Sequence, residues 1–390
     1  MGTAKTFIIG FLFISLQILG QSSFTQIDNS SKRVPNSIQS YQEIAQYLTK
    51  DFTNDIEKSR ALYIWISHNI SYNVDLLNNL PKYTSQEAII EEVMQNRNGV
   101  CQHYADLFLV MSNSIGLQTY TISGYTRNTD GKIAEISHAW NAIKIDSNYF
   151  LLDITWAAGH ATEDVFYRKF NDNFFLKTPQ EFIADHIPFD PVWQFLDNPI
   201  RHKDFSEQSF EKLNIPSDYP FKEILKSIDS LDAIAILKTS NSRIIRCGTS
   251  NQLIKNQIQN NLNSITSIEF NTAVDTLNFG IKNYNTYIDA KNNKFKNPKL
   301  NDEEIKSYIS NAEIGIKTAN EMMLNLTATD EELSFSLNHE RNRLPKLIKT
   351  VETEKDFVDR YIKKWKPLRA TMFYSFKANK INTSSKPVLF

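Results

Sequence analysis

The stretch GVCQHYADLFLV, residues 99–110, places a cysteine at the start of a helical apolar pattern. After Cys101 the apolar residues recur three and four positions apart, which is the spacing of one helix face. They are Tyr104, Ala105, Phe108, Leu109 and Met111. Gly99 is expected to permit a tight turn just before them. Cys101 is therefore predicted to lie at or near a helix N-terminus, where the helix dipole and unpaired backbone N–H groups stabilise a thiolate.

The chain has only one other cysteine, Cys247, so disulfides are not its general means of stabilisation. Two other interpretations of Cys101 remain open: a single disulfide with Cys247, and a buried inert thiol. The helical pattern that follows Cys101 favours a reactive thiol. Cys247 lies in RIIRCGTSN, residues 243–251, near a predicted helix end, and is expected to be a semi-buried structural thiol.

A cysteine nucleophile needs a base, and the base needs a residue that orients it. HAWNAIKID and NYFLLDITW, residues 138–146 and 148–156, predict two strands joined by a hairpin turn at residues 146–148. His138 begins the first strand and Asp153 lies on the second, so the hairpin can bring them together. If the helix that carries Cys101 packs against this sheet, then the nucleophile, the base and the orienting residue lie together.

These stretches resemble the transglutaminase-like superfamily, and more narrowly its kyphoscoliosis-peptidase-like branch. The resemblance spans residues 40–200 and rests on several motifs: GVCQHYADLF at 99–108, SGYT at 123–126, HAWNAIKI at 138–145, LLDITWAAGH at 151–160, and the flanking stretches 61–74 and 174–196. It implies an α+β fold with a papain-like core, in which the cysteine-bearing helix packs on an antiparallel sheet. It also implies Cys101 as nucleophile, His138 as general base and acid, and Asp153 as the residue that orients His138.

Three further residues are candidates for the oxyanion hole or the cleft. Gln95 lies six residues before Cys101, the offset at which papain-type proteases place an oxyanion-hole glutamine, although a glutamine at a helix end is often simply solvated. Trp140 and Trp156 flank the predicted triad and either donate an N–H group or pack against the strands. His160 and His186 lie in the same motifs and either line the cleft or have a structural role, of which the structural role is favoured.

No metal and no cofactor are expected. Cys101 and His103 form a C-x-H pair, but no second pair of cysteine and histidine completes a zinc site. The expected reaction is acyl transfer on a protein or peptide amide through a thioester on Cys101. Hydrolysis is favoured over cross-linking to an amine, because nothing in the sequence marks a channel for an amine acceptor. A binding or assembly module without catalysis is the alternative from another class.

The first twenty residues predict export. Lys5 precedes an apolar run from Phe7 to Leu19, and a polar segment begins at Gly20, a pattern typical of a signal peptide cleaved before Gln21. The protein is therefore expected to be secreted or periplasmic. The run is shorter than the roughly 20 apolar residues that span a membrane, so membrane insertion is not expected. The formal net charge of −1, with both signs mixed along the chain, gives no electrostatic reason to expect nucleic-acid binding.

The length of 390 residues favours two domains. The expected division is a signal peptide at 1–20, a catalytic domain at 21–200 and an α-helical domain at 201–390. Beyond residue 200 an apolar stripe with helical spacing comprises Val274, Leu277, Ile281, Tyr284 and Ile288. Asp302 is predicted to cap a second long helix, and Thr329 or Asp330 a third. No flexible linker occurs near residue 200, so the helices are expected to pack on the core, with a partner-binding groove as the alternative.

Overall fold

The computed structural model describes residues 24–77, 85–128, 130–210, 219–228, 230–373 and 379–383. The predicted signal peptide lies outside these residues. The chain forms two compact units: one runs to residue 232 and includes 239–258, and the other comprises 233–238 and 259 onward. Among the helices of the described residues, none is both long enough and apolar enough to cross a membrane.

The first unit combines helices with an antiparallel sheet, as the sequence predicts. Its helices are α1 (residues 24–31), α2 (Tyr41–Thr49), α3 (Asp55–Asn69), α4 (Gln86–Asn96), α5 (Cys101–Ser114), α6 (Ile154–Ala158), α7 (Pro179–Phe182), α8 (His202–Ser206), α9 (Phe221–Ile228) and most of α10 (Ala233–Cys247). Short 3₁₀ helices cover Asp75–Leu77, Asp172–Phe174 and Pro191–Gln194.

Eight strands form three sheets in the described residues of this unit. They are β1 (Ser71–Tyr72), β2 (Asn98–Gly99), β3 (Gln118–Thr126), β4 (His138–Ile145), β5 (Asn148–Leu152), β6 (Gly159–Thr162), β7 (Val165–Arg168) and β8 (His186–Pro188). The largest sheet has the order β5-β4-β3-β8 and is antiparallel throughout. The pairs β1-β2, which is parallel, and β6-β7, which is antiparallel, are separate two-stranded sheets.

The core of this unit lies between a layer of helices and one face of the largest sheet. Helix α3 is buried over its central turns, from Ser59 to Ser67, so it cannot be a surface helix with a single apolar stripe. Its start is fixed by Asn54, whose side chain accepts a hydrogen bond from the Glu57 N–H group at 2.8 Å. The apolar side of α5 packs into the same core through Leu107, Phe108 and Met111.

The predicted hairpin is present in the sheet. Ile145 on β4 pairs with Asn148 on β5, and Asp146 in the turn adopts a left-handed conformation with φ of 56°. An aspartate tolerates this conformation better than most residues. The turn therefore sets the register that lets β4 and β5 run side by side toward the site.

Strand β3 is the centre of the sheet, and Gly124 lies where it meets both neighbours. Gly124 pairs with His138 on β4 and with Pro188 on β8. A Cβ atom at this position would lie 2.2 Å from the Ile187 carbonyl oxygen and 2.4 Å from the Trp140 ring. A glycine is therefore required for the close approach of these strands.

Residues beyond 200 complete the first unit. Phe205, Ile244 and Ile254 are buried in one apolar cluster with Tyr125 of β3. In addition, Arg243 on α10 forms a buried ion pair with Asp190, with Nη2 and Oδ2 2.7 Å apart. The compact unit thus extends to residue 258, past the position near 200 where the composition changes. Whether residues 21–200 fold without the rest of the chain stays a prediction.

The second unit confirms the predicted helical C-terminal region. It contains α11 (Gln252–Asn292) from residue 259 onward, α12 (Asp302–Leu324), α13 (Glu331–Lys363) and a 3₁₀ helix at Lys366–Phe373. The stripe from Val274 to Ile288 is buried in the core of this unit. Asp330 caps α13 as predicted, but Asn301 rather than Asp302 caps α12. Asp302 is the first residue of that helix and pairs instead with Arg369 at 2.6 Å.

Candidate catalytic site

Cys101 is the first residue of α5, as the sequence predicts. The residue before it, Val100, has no side-chain oxygen to cap the helix; its backbone N–H donates instead to Nδ1 of His103 at 2.9 Å. Gly99 lies in the short strand β2, directly before the helix, rather than in the tight turn that the sequence predicts. A Cβ atom on Gly99 would lie 2.6 Å from the His103 side chain, so the glycine makes room for this imidazole.

The thiol of Cys101 is nearly enclosed, with 9% of the residue exposed. Its apolar neighbours are Ala105 on the next turn of α5 and Ala139 on β4. Burial alone would raise the pKa of the thiol, but a hydrogen bond with the His138 side chain, the charge of His138 and a hydrogen bond with the Ala139 backbone lower it below its usual value. The surroundings of the sulfur therefore favour the thiolate.

His138 and Asp153 form the pair that the hairpin predicts. Nε2 of His138 lies 2.7 Å from Oδ2 of Asp153, which leaves Nδ1 as the ring nitrogen that faces Cys101. Burial opposes protonation of the imidazole, but the charge and hydrogen bond of Asp153, with a further contribution from Cys101, raise the pKa of His138 to about 10. The same pairing holds the pKa of the Asp153 carboxyl well below its usual range despite burial.

Asp153 is completely buried and has a second, structural task. It lies just before α6 and caps that helix, because its Oδ1 accepts a hydrogen bond from the Trp156 N–H group at 3.0 Å. Its Oδ2 accepts from His138 and also lies 3.1 Å from Nε2 of His186 on β8. Both oxygens are thus fixed, and the carboxylate can hold His138 in one orientation.

The remaining site candidates fall into different environments. Trp140 is buried under the sheet against Phe182, 5.8 Å between ring centroids, which fits the packing interpretation. Trp156 is partly exposed, and its ring centroid lies 5.8 Å from that of His138. Gln95 is exposed near the end of α4, and its role as an oxyanion donor stays a prediction. His160 is exposed on β6 and stacks on Tyr167.

Among the described residues, one group has side chains of the right type and proximity for a metal: His138, Asp153 and His186. Their nitrogen and oxygen atoms, however, lie at hydrogen-bond distances of 2.7 and 3.1 Å from one another. Protons between these atoms account for the arrangement without an ion. His103, the other half of the C-x-H pattern, accepts the Val100 hydrogen bond instead of joining this group.

Cys101 and Cys247 are both free thiols in the structure, so the alternative of a disulfide between them is wrong. Cys247 is the last residue of α10, and its Sγ donates to the Ile200 carbonyl oxygen at 3.6 Å. Burial raises the pKa of the Cys247 thiol to about 11. Its surroundings thus act in the opposite sense to those of Cys101, as expected for a structural thiol.

The sequence predicts neither the contact of Cys101 with the Ala139 backbone nor the contact of His186 with Asp153. From the motif alone, His186 either lines the cleft or, as favoured, has a structural role. Its position beside Asp153 depends on pairing of β8 with β3, between Tyr125 and Ile187, which no local pattern encodes. The available signal was the stretch ADHIPFDPVW, residues 184–193, where a histidine opens a short apolar strand between two aspartates.

Comparison with known proteins agrees with this geometry. Residues 42–154 match the family model of the transglutaminase-like superfamily, a range that includes Cys101, His138 and Asp153. This part of the chain is a transglutaminase-like domain, and its likeness to kyphoscoliosis peptidases confirms the resemblance seen in the motifs. The architecture of this part of the chain mixes helices with an antiparallel sheet.

Two of the curated relatives are kyphoscoliosis peptidases. The chain is 27% identical to the one from Mus musculus, over 55% of this chain and 33% of that protein, and 28% identical to the one from Homo sapiens, over 44% and 26% respectively. It thus spans a quarter to a third of their length. Among solved structures, an arylamine N-acetyltransferase of Bacillus cereus aligns over 37% of this chain and 75% of its own, with 15% identity and a TM-score of 0.26.

Proposed function

We propose that this protein is a cysteine hydrolase that cleaves amide bonds in protein or peptide substrates through a thioester on Cys101. The observation that carries the proposal is the connected series of side chains from Cys101 through His138 to Asp153. The hydrogen bond between His138 and Asp153 is 2.7 Å long, and His138 in turn bonds the Cys101 thiol. Nucleophile, base and orienting carboxylate are thus in direct succession.

The first step is attack of the Cys101 thiolate on the substrate carbonyl carbon. The lowered pKa of the thiol and the pKa of about 10 for His138 both favour the pair of thiolate and imidazolium over the pair of neutral groups. In this pair the sulfur attacks as the thiolate and the imidazole already holds its proton. The imidazolium then gives its proton to the leaving amine, and the acyl group remains on sulfur.

The oxyanion that forms during attack requires hydrogen-bond donors. Because Cys101 opens α5, its own N–H group is one of the first four of the helix, which have no partner within the helix. We assign this group as one donor. Gln95 and the partly exposed Trp156 are the candidates for the second, whereas the buried position of Trp140 argues against that residue.

The acyl-enzyme is resolved by water in this proposal, with His138 now acting as general base. The alternative acceptor is a lysine amine, which would make the protein a cross-linking transglutaminase. Both reactions share every residue named above, so the choice is an outcome of the test. A binding module without turnover is the third outcome.

The test has two stages. The full chain is treated with a peptide-like electrophile such as a peptidyl vinyl sulfone, and the labelled residue is mapped by mass spectrometry; modification of Cys101 that is absent in His138→Ala supports the assignment. A peptide mixture is then incubated with the protein with and without a primary amine. New amino termini indicate hydrolysis, and amine incorporation indicates transamidation. Absence of labelling at Cys101 in folded protein would contradict the proposal.

Export from the cytoplasm is also part of the proposal, and it rests only on the sequence pattern of residues 5–20. Edman degradation of the protein purified from the extracellular or periplasmic fraction tests it. An amino terminus at Gln21 supports the signal peptide. Retention of Met1 in the cytoplasmic fraction contradicts it.

A further inference from the structure

We propose that His186 is a positioning residue of this site, a buried imidazolium that holds the Asp153 carboxylate and balances its charge behind His138. The inference rests on the proposed function, since it concerns the same triad. It adds a fourth member, on β8, 33 residues beyond Asp153 in the chain. Its basis is the set of atoms that surround the His186 ring.

Both ring nitrogens of His186 face a carboxylate. Nε2 lies 3.1 Å from Oδ2 of Asp153, and Nδ1 lies 2.5 Å from Oδ1 of the neighbouring Asp185. A neutral imidazole carries one N–H group, whereas the imidazolium carries two. Because carboxylates only accept hydrogen bonds, both contacts are satisfied together by the imidazolium form.

The remaining faces of the ring are enclosed by aromatic side chains, and none of the His186 side chain is exposed. The centroid distances to its ring are 4.2 Å for Phe182, 4.5 Å for Trp156, 5.2 Å for Trp140 and 6.1 Å for Phe174. The rings of Phe182, Trp156 and Trp140 lie within the roughly 6 Å over which an aromatic ring attracts a cation. The pocket thus combines two carboxylates with a close aromatic lining, an environment suited to a buried positive charge.

A positive His186 changes what Asp153 can do for His138. Asp153 is fully buried, and an isolated carboxylate would be strongly disfavoured there. With His186 charged, one Oδ2 atom is shared between two imidazoles whose ring centroids are 5.8 Å apart. The second cation makes the proton on His138 easier to release, because like charges at this distance repel. His186 would therefore assist His138 as the general acid.

Few other charges can take over this role. Within the described part of the chain, the titratable side chains that face His186 directly are Asp185, Asp153 and His138, and the aromatic residues packed on it carry no charge. Tyr63, a buried phenol, interacts electrostatically with Asp153 and also with the ion pair between Arg60 and Asp172. Loss of the charge on His186 should therefore change the titration of Cys101 and His138.

The experiment uses the full chain and needs no substrate. The rate of Cys101 alkylation by iodoacetamide is measured against pH in the parent and in His186→Gln, which retains an amide donor toward Asp153 but no charge. We expect the titrations of Cys101 and of His138 that appear in this profile to move to higher pH in the variant, each by about one unit. An unchanged profile in folded His186→Gln would overturn the proposal.

The matched control is His202→Gln. His202 is also fully buried, with Nδ1 3.1 Å from the Tyr125 hydroxyl and Nε2 3.0 Å from the Phe189 carbonyl oxygen, but it contacts no member of the triad. This variant should leave the pH profile unchanged. If His186→Gln does not fold, Asp185→Asn replaces it, because the Asp185 side chain is 42% exposed and its loss removes one of the two carboxylates. A shift in the same direction is expected.

Nitrogen NMR of protein labelled in its histidines gives a readout of charge alone. The signal of His186 is assigned by its loss in His186→Gln or its shift in Asp185→Asn. We expect this signal to show two protonated ring nitrogens at neutral pH. A neutral tautomer at that residue would overturn the proposal. A charged His186 in a protein that cleaves no peptide would leave this inference standing and remove only the proposed hydrolase.

Discussion

Nε2 of His138 lies 2.7 Å from Oδ2 of Asp153, so the residue that would move the proton is held by a carboxylate with no exposed surface. Both residues belong to the hairpin formed by β4 and β5 and to the turn into α6. The orientation of the base is therefore set by local structure rather than by a mobile loop. Four predictions follow from the site and from the packing around it.

The first concerns the triad. Cys101→Ala should abolish acyl-enzyme formation, and Asp153→Asn should reduce turnover by roughly 10² to 10⁴ because the imidazole loses its orientation. Steady-state kinetics on a peptide substrate identified by the proposed screen measure both effects. Asp153→Asn turning over at the parent rate would show that another group orients His138.

A structural explanation of the Asp153 effect has its own control, because Asp153 also caps α6. Asp190 is another buried aspartate that caps a short helix, with Oδ1 3.2 Å from the Val192 N–H group, and it pairs with Arg243 instead of with His138. Asp190→Asn should lower the melting temperature and leave the turnover number near that of the parent protein.

The second prediction concerns pH and the two thiols. Burial raises the pKa of Cys247 to about 11, whereas His138 and the Ala139 backbone lower that of Cys101 against the effect of burial. Protonation removes a thiolate as pH falls, so Cys101 should remain reactive at about pH 6 while Cys247 does not. Limiting iodoacetamide followed by peptide mapping measures the ratio.

In His138→Ala the selectivity between the thiols should decrease sharply, because the stabilising cation is gone. Above the His138 pKa of about 10, the parent protein also loses that cation and the proton needed by the leaving amine. Turnover should therefore fall at the alkaline end while alkylation continues. Equal labelling of both cysteines at about pH 6 in the parent protein would refute the thiolate assignment.

The third prediction concerns Arg60, a buried cation on α3. Its guanidinium bonds both oxygens of Asp28 at 2.7 Å and also contacts Asp172, and its side chain is 2% exposed. Arg60→Met keeps much of the apolar stem but removes charged hydrogen bonds to two partly exposed carboxylates, which should cost about 1.5–3 kcal/mol in the free energy of unfolding. Urea denaturation followed by tryptophan fluorescence measures the change.

Lys58→Met provides the comparison for Arg60. Lys58 forms a pair with Asp55 on the same helix at 3.8 Å, with both side chains more exposed than that of Arg60. A surface pair of this kind contributes about 1 kcal/mol or less. If both variants lose the same free energy of unfolding, the buried ion pairs of Arg60 contribute no more to stability than an exposed pair.

The fourth prediction concerns truncation. A fragment ending at residue 200 lacks Phe205, Ile244 and Ile254, each of which is almost completely buried in the first unit. Loss of each such side chain removes about 1.5–3 kcal/mol of apolar burial. We expect this fragment to aggregate and a fragment ending at residue 258 to melt cooperatively. Calorimetry and size-exclusion chromatography distinguish them, and a cooperative, monomeric shorter fragment would contradict the expectation.

The parts of the site that lie on adjacent elements could be predicted from the sequence. The position of Cys101 at a helix start follows from apolar spacing, and the proximity of His138 and Asp153 follows from two strands around a short turn. The caps of α12 and α13 were predicted to within one residue for the same reason, since capping depends on nearby side chains.

The parts that depend on distant pairing could not be predicted. His186 approaches Asp153 because β8 pairs with β3. The three residues of β8 form no local sequence pattern that predicts this pairing. Burial of Phe205 and Ile244 with Tyr125 likewise joins segments that differ in composition. Composition indicates where sequence character changes, but the edge of a compact unit depends on which side chains pack together.

Gly124, which lies outside the proposed triad, helps to set the distance between the strands that carry His138 and His186. Strands in a sheet are about 4.8 Å apart, so the two that flank β3 are separated by roughly twice that distance. His138 is directly opposite Gly124 on one side, and His186 is two residues from its partner Pro188 on the other. The distance between the two imidazoles therefore depends on β3, a strand with no side chain in the proposed mechanism. One added methyl group at residue 124 would meet the backbone of β8 on one side and the Trp140 ring of β4 on the other, so it would disturb the distance between the two imidazoles although residue 124 takes no part in the chemistry.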